Sequence, residues 1–348
     1  MRGLMVFLDF SRAFDCINHS LLIQKLRSKF FFHDTLCAFM TLYLSDRKQF
    51  VYLNNKCSSS LNVLSGVSQG SVIGPLLFST FINDIVDCFS SCEHHIYADD
   101  IQLYKLFHKS AKISAANEVN LVLNRILQWT TENGLRLNPI KTKAMFIDRR
   151  KTFEERPPLF LNSSSIEYVK NFKNLGVYLN NNFTWNTHIN RVVGKVYGAL
   201  RGLSPTSKYL SNEVKLRLVK SFILPIIMYS CELFSNMDQE SNRKLTVAYN
   251  SCAGFIFNLN RQTHISVFTN QITGCSLNSF LDYRTILIFA RSQRTAQLIL
   301  PSHKYLTTSR HFFVHAINLW NTLPTKLKRL DNANTFKHEL FLHLSRSQ

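Results

Sequence analysis

The sequence predicts an α+β protein, in which a small sheet-bearing domain precedes a basic, mostly helical one. Three observations predict this. Up to about Leu179, strand-length apolar runs alternate with helical stretches, whereas from Thr184 onward the apolar residues recur at helical spacing with basic residues between them. Turn punctuation is dense in the first part, with three glycines in Gly66–Gly74 and an Asn133-Gly134 stop. Charge also divides the chain. The 41 Lys and Arg outnumber the 22 Asp and Glu to leave +19, yet Met1 to His108 holds nine basic and nine acidic residues. The whole excess therefore lies beyond His108, which suits a polyanionic partner, nucleic acid ahead of a membrane surface.

Each element has its own signal. Leu4–Leu8 is a short apolar run that suits a buried strand. His19 to Leu44 carries helical spacing with a break near His33-Asp34. Gln49–Leu53 and Leu61–Leu64 read as two strands joined by the polar stretch Asn54–Ser60. Pro75 stands at the first position of an apolar helix reaching about Phe89, because a residue without an N–H suits that place. Glu93 to Lys105 reads as a hairpin with Asp99-Asp100 at or near its turn. Ala111–Thr131 has a helical stripe (Ala115, Val119, Leu123, Ile126, Leu127). Strand-like pieces follow at Leu135–Leu137, Ala144–Ile147, Leu159–Leu161 and Leu175–Leu179.

Composition narrows the class. With 348 residues, 45% of them hydrophobic, the chain has enough apolar material for two or three cored domains. Its eight cysteines form no CxxC pair. Cys88, Cys92, His94 and His95 are close in sequence, but no second ligand pair follows, so structural thiols are expected there rather than zinc. Reduced cysteines predict an intracellular protein, in nucleus or cytoplasm rather than secreted. The longest later apolar run, Phe222–Cys231, is too short for a bilayer, so no membrane partner is expected.

Two places put acids where acids are normally avoided. Asp9 ends the run Leu4–Leu8, and Asp99-Asp100 interrupts a hairpin. Neighbouring carboxylates repel unless a cation sits between them, and oxygen donors suit Mg²⁺ or Mn²⁺. Two such ions about 4 Å apart clamp the attacking and leaving oxygens of a phosphoryl transfer. Asp in a turn is equally its commonest plain use, and the pair alone leaves both readings open.

The flanking residues carry a resemblance. Leu8-Asp9-Phe10-Ser11-Arg12-Ala13-Phe14-Asp15 is similar to the first palm signature of reverse transcriptases. Ser65-Gly66-Val67-Ser68-Gln69-Gly70-Ser71-Val72-Ile73-Gly74-Pro75-Leu76-Leu77-Phe78 resembles the second, and Tyr97-Ala98-Asp99-Asp100 the third. Asn133-Gly134-Leu135-Arg136-Leu137-Asn138-Pro139-Ile140-Lys141-Thr142 resembles the lysine-bearing segment that follows, and Asn174-Leu175-Gly176-Val177 the strand leading to the thumb. Trp320-Asn321-Thr322-Leu323-Pro324 and Phe336–Leu344 are similar to the end of jockey-like or CR1-like elements. Five motifs in order make a specific signal where a bare Ala-Asp-Asp is a weak one.

The resemblance implies a reverse transcriptase of the non-LTR retrotransposon type. It implies a palm, an antiparallel sheet with packed helices, over residues 1–180 with the fingers absent. A helical thumb over 181–262 and a C-terminal helical region over 263–348 would follow. Asp9, Asp99 and Asp100, with the carbonyl of Phe10, would hold two Mg²⁺ ions, Mn²⁺ being the alternative. Phe14 would exclude a ribose 2′-hydroxyl; its plain reading is a core Phe, one of 28. Gly66, Gln69, Gly70 and Gly74 would let backbone approach template and nucleotide, with Tyr97 beside them. Lys141 would serve the leaving pyrophosphate as acid or counter-charge; its plain reading is a solvated surface lysine. Partners would be an RNA template, a DNA primer, dNTPs and the element's own RNA in a ribonucleoprotein. Ser68 and Ile73 depart from the commoner proline and leucine. Because the first signature begins at Leu8, activity of this chain alone is expected to be impaired. The competing expectations are a non-catalytic remnant that binds nucleic acid and an RNA-dependent RNA polymerase, against which Phe14 and the Tyr97–Asp100 form speak.

Overall fold

The computed structural model describes residues 2–148, 156–234, 237–260, 263–290, 312–330 and 332–346, so the expected boundary at 262 lies outside the described residues. Two compact units divide at Leu175/Gly176.

In the first unit the run at Leu4–Leu8 becomes β1 (Arg2–Leu8), with every residue but Met5 buried. A strand covered on both faces needs neighbours on both edges to satisfy its backbone, and β1 has them. α1 (His19–Ser28) and α2 (Asp34–Leu44) follow, broken where Phe31 takes a left-handed φ of 54°. Asn18 caps α1 by accepting from the Leu21 N–H at 3.0 Å. A ribbon comes next, β2 (Lys48–Gln49), β3 (Tyr52–Leu53), β4 (Lys56–Cys57) and β5 (Leu61–Asn62). β2 pairs with β5 and β3 with β4, both antiparallel. The expected polar link Asn54–Ser60 is therefore partly strand: Asn54 and Asn55 make the turn alone, at φ 49° and 60°, as asparagine tolerates.

α3 (Gly74–Ile82) has Pro75 in its first turn and passes into a tighter turn over Asn83–Cys88. β6 (Glu93–Tyr97) and β7 (Asp100–Phe107) form the second hairpin, and α4 (Lys112–Glu132) follows. The helix ends at Gly134, whose φ of 69° costs glycine little. α4 buries Val119, Val122, Leu123 and Ile126 completely, each worth roughly 1.5–3 kcal/mol of transfer free energy. An aspartate at Ile126 would undo that face.

β8 (Lys143–Ile147) lies on the other edge of β1, antiparallel to it. Beyond the small hairpin of β9 (Phe160–Leu161) and β10 (Ser164–Ser165), β11 (Glu167–Tyr168) pairs with β8 in parallel. The sheet runs β11-β8-β1-β7-β6. It is mixed, where an all-antiparallel palm sheet was expected; a single parallel pair at the edge makes the difference. Leu135–Leu137 is a single bridge, Leu137 to Phe10, rather than a strand.

Among its described residues the second unit is helical apart from a short strand at Val177–Asn180 and the turns between helices. Ile189, Val192 and Val196 of the helix Asn186–Leu203 pack with Leu245, Cys252 and Ile256 of the helix Gln239–Phe257. Between them the chain widens into a π-helical turn at Val219–Ile223, just before Pro225. Proline cannot donate to the preceding turn, and the wider turn absorbs that loss. A smaller core joins Ile286 and Phe289 to Trp320, Leu323, Phe336 and Leu340. The C-terminal motif residues Trp320, Leu323, Phe336 and Leu340 are thus packing residues.

Candidate active site

The acids stand at one end of the sheet. β1 is antiparallel to β7, with Leu8 opposite Ile101, so Asp9 leaves β1 beside Asp100, the first residue of β7. Tyr97 pairs with Asp100, leaving Ala98 and Asp99 as the two-residue turn. Ala98 adopts a left-handed φ of 51°, a conformation that costs a residue with a Cβ. Asp9 and Asp99 are half-buried and Asp100 is exposed.

These groups feel one another. Burial pushes the Asp9 carboxyl above the usual carboxylate range; the Lys141 ammonium opposes this and Asp99 adds to it. Partial desolvation raises Asp100 as well, followed by the charges of Asp99 and Asp9. Lys141 Nζ lies 3.7 Å from Asp9 Oδ2, an ion pair but too long for a hydrogen bond. Oδ2 itself is buried without a hydrogen-bond partner.

Backbone bonds fix Asp9. The Asn138 N–H donates to the Asp9 carbonyl at 2.8 Å, and Ser11 N–H to the Arg136 carbonyl at 2.8 Å. These bonds flank the Phe10–Leu137 bridge and leave the Phe10 carbonyl oxygen outside it. Phe10's ring is buried in the core. Asn138 also organises the lysine segment: its Oδ1 accepts from the N–H groups of Ile140 at 3.1 Å and Lys141 at 3.2 Å. Neither Asn138 nor the buried Thr142, whose Oγ1 accepts from the Asp9 N–H at 3.4 Å, was singled out from sequence. The Asn138-Pro139 dipeptide was the available sign of a turn.

The glycine loop is braced against the segment after Asp9. The Gly66 N–H donates to the Ile17 carbonyl at 2.8 Å and Val67 N–H to Phe14 at 2.9 Å. His19 Nε2 lies 2.7 Å from the Gly66 carbonyl, and Gln69 Nε2 donates to Asp15 Oδ1 at 3.0 Å. A Cβ on Gly66, which has φ +87°, would come within 2.8 Å of Asp15 backbone; one on Gly74 would meet the Ser68 carbonyl at 2.7 Å. Those two glycines admit the chain's own backbone. Gly70, at φ +81°, faces open space. Phe14 is half-buried and stacks on Phe78 of α3, centroids 4.2 Å apart. Tyr97 is 68% exposed. Ser71, and after it Arg47, hold the hydroxyl of Tyr43 of α2 below the usual tyrosine range.

Whether these residues fit divalent ions turns on donor chemistry. Two carboxyls raised first by burial and then by neighbouring negative charge, a buried Oδ2 without a hydrogen bond and a backbone carbonyl outside the ladder are hard oxygen donors, a chemistry that fits Mg²⁺. The cage is not drawn tight: among the described residues no three His, Cys, Asp or Glu side chains gather closely enough to hold an ion. The eight cysteines are free, with Cys88 and Cys92 buried. No helix among the described residues is long and apolar enough to cross a membrane.

The chain is 26% identical over 258 residues to the probable RNA-directed DNA polymerase from transposon BS of Drosophila melanogaster, covering 70% of this chain and 28% of that protein. It is 28% identical over 240 residues to the RNA-directed DNA polymerase from mobile element jockey of the same fly, covering 66% and 25%. The chain thus spans about a quarter of the length of these relatives. A telomerase from Candida tropicalis, solved with a fragment of telomeric RNA, superposes with a TM-score of 0.40 at 11% identity, over 99% of this chain and 49% of that one. A likeness that loose decides nothing. The profile of the reverse transcriptase (RNA-dependent DNA polymerase) family matches residues 2–179, more than half of the chain and all of the carboxylate end of the sheet, and the chain belongs to that family.

Proposed function

We propose that the chain carries the catalytic palm of an RNA-directed DNA polymerase of a non-LTR retrotransposon, which extends a primer 3′-hydroxyl with dNTPs on an RNA template. The observation that carries this is the register of β1 against β7, which sets Asp9 beside the turn bearing Asp99 and Asp100. In this reading the first unit is palm and the second is thumb with a C-terminal region.

Asp9, Asp99, Asp100 and the Phe10 carbonyl would hold Mg²⁺, which when bound supplies charge for the attacking and leaving oxygens. The main chain of Asp9 is held on both sides, its carbonyl by the Asn138 N–H and its N–H by Thr142 Oγ1, which sets where its carboxylate starts from. Phe14, propped on Phe78, presents the edge of a fixed ring to the sugar and excludes a 2′-hydroxyl by contact. Gly70 offers backbone to the template strand without a side chain in the way. Lys141 moves a proton or positive charge to the departing pyrophosphate. The basic residues of the second unit grip phosphates of the duplex without reading sequence, so binding weakens steeply with salt. The protein works inside the cell, with the element's RNA as its natural partner.

Primer extension on an RNA template tests the reading. Extension is expected with dNTPs and Mg²⁺, not with rNTPs, and Asp99→Asn is expected to abolish it. A chain that binds primer–template but never extends it would support a remnant, and rNTP incorporation would support an RNA polymerase.

A further inference from the structure

We propose that Lys141 is the resident counter-ion of Asp9, held at Oδ2 while no divalent cation is bound and released when one binds. This rests on the reading that the three aspartates take up divalent ions, and goes beyond it by coupling the lysine's position to their occupancy.

The backbone and the side chain of Lys141 are treated differently by the fold. Asn138 pins the backbone: it accepts from the Lys141 N–H through Oδ1 at 3.2 Å, and its own N–H bonds Asp9. The side chain is 68% exposed, so solvent surrounds most of it. Its ammonium sits 3.7 Å from Oδ2, whereas Lys25 reaches Asp84 at 2.7 Å and Lys143 reaches Glu167 at 2.6 Å. Lys141 therefore lends charge to Asp9 without the hydrogen bonds that would make the contact hard to exchange.

Oδ2 is a poor place to leave empty. It is buried, it lacks a hydrogen bond, and Asp99 adds like charge. A monovalent ammonium answers part of that need. A divalent ion coordinated directly to Oδ2 answers more of it and repels the ammonium, so the two cannot share the atom. Once displaced, the ammonium stays within a side chain's reach of the site because Asn138 holds the Lys141 backbone, and it can meet a phosphate there.

Lysine labelling of the full chain tests this without any turnover. The protein is treated with an N-hydroxysuccinimide ester in chelator or in Mg²⁺, and the Lys141 and Lys143 peptides are quantified by mass spectrometry. Mg²⁺ is expected to raise Lys141 labelling by about two- to fivefold, the population change an exposed ion pair commands, and to leave Lys143 unchanged. Asp9→Asn is expected to label at the higher rate in both conditions. Calorimetry on the same samples reports Mg²⁺ binding separately. If Mg²⁺ binds and Lys141 labelling does not move, the counter-ion proposal is overturned while the metal-site reading stands. If no Mg²⁺ binds, both fall.

Discussion

Asp9 Oδ2 in the first unit and His188 Nε2 in the second are both buried, and neither has a hydrogen-bond partner. Their surroundings differ in kind. His188 is 3% exposed, between the rings of Trp185 and Phe234 at 6.3 and 5.0 Å. Its Nδ1 accepts from the Tyr178 N–H at 3.3 Å, which puts the proton on Nε2. An orphaned neutral N–H costs about 1–3 kcal/mol, and the aromatic packing offsets it. Asp9 sits among charges of both signs, at an open end of the sheet, with an exchangeable lysine beside it. One missing partner is a packing cost; the other is an anionic oxygen with a cation, Lys141, already 3.7 Å away. An unsatisfied atom points to function only when its neighbourhood can bring a ligand to it.

The sharpest way to break that contrast is to remove each group in turn. Asp9→Asn should lower single-turnover primer extension by at least roughly 10²–10³-fold, as when one transition-state electrostatic contact is lost. Circular dichroism should show the fold intact. His188→Phe should leave extension per folded molecule unchanged. Equal losses from both would mean that His188 belongs to the chemistry.

Acid should then separate the two units. Burial, with Lys195 adding, lowers His188 from 6.5 to about 4. The folded state therefore binds fewer protons than the unfolded one, so its stability is complete above pH 6.5 and drains away as pH falls toward 4. By pH 5 the loss is about 2 kcal/mol. Urea unfolding at pH 7 and pH 5, followed by tryptophan fluorescence, should show that slope in the wild type and a flatter one in His188→Phe. The same slope in both proteins would mean that another group carries it.

Much of this was legible in the sequence because it rests on local signals. The Leu4–Leu8 run, the Pro75 helix start, the Asn133-Gly134 stop and the hairpin around Asp99 all depend on residues within a few positions of one another, and all occur. Asp9 and Lys141 could be nominated from flanking motifs. Their 3.7 Å approach could not, because it depends on a turn far along the chain from Asp9, whose Asn138 bonds the Asp9 carbonyl. The glycine loop shows the same limit. Three glycines announce backbone crowding, but only the fold reveals that Gly66 crowds Asp15 whereas Gly70 crowds nothing. The strand Lys56–Cys57 hid inside a polar stretch because an Asn-Asn turn is a weaker hairpin sign than Asn-Gly.

The smallest effect probes the carboxylates themselves, with the opposite sign to His188. Asp100 is raised above 3.8, first by desolvation and then by Asp99 and Asp9. The folded state thus holds its proton more tightly than the unfolded chain does. The stability this contributes is present below pH 3.8 and is lost as pH rises through the folded value, so at neutral pH the ionised cluster works against folding. Asp100→Asn in chelator at pH 7 should therefore raise the melting temperature slightly. The gain should be small because Asp100 is exposed and water screens it. It should vanish in saturating Mg²⁺, where bound ions relieve the same repulsion in the wild type. A melting temperature that falls in chelator would mean that Asp100 itself is held by an attraction within the protein, and the repulsion argued for the cluster would be wrong.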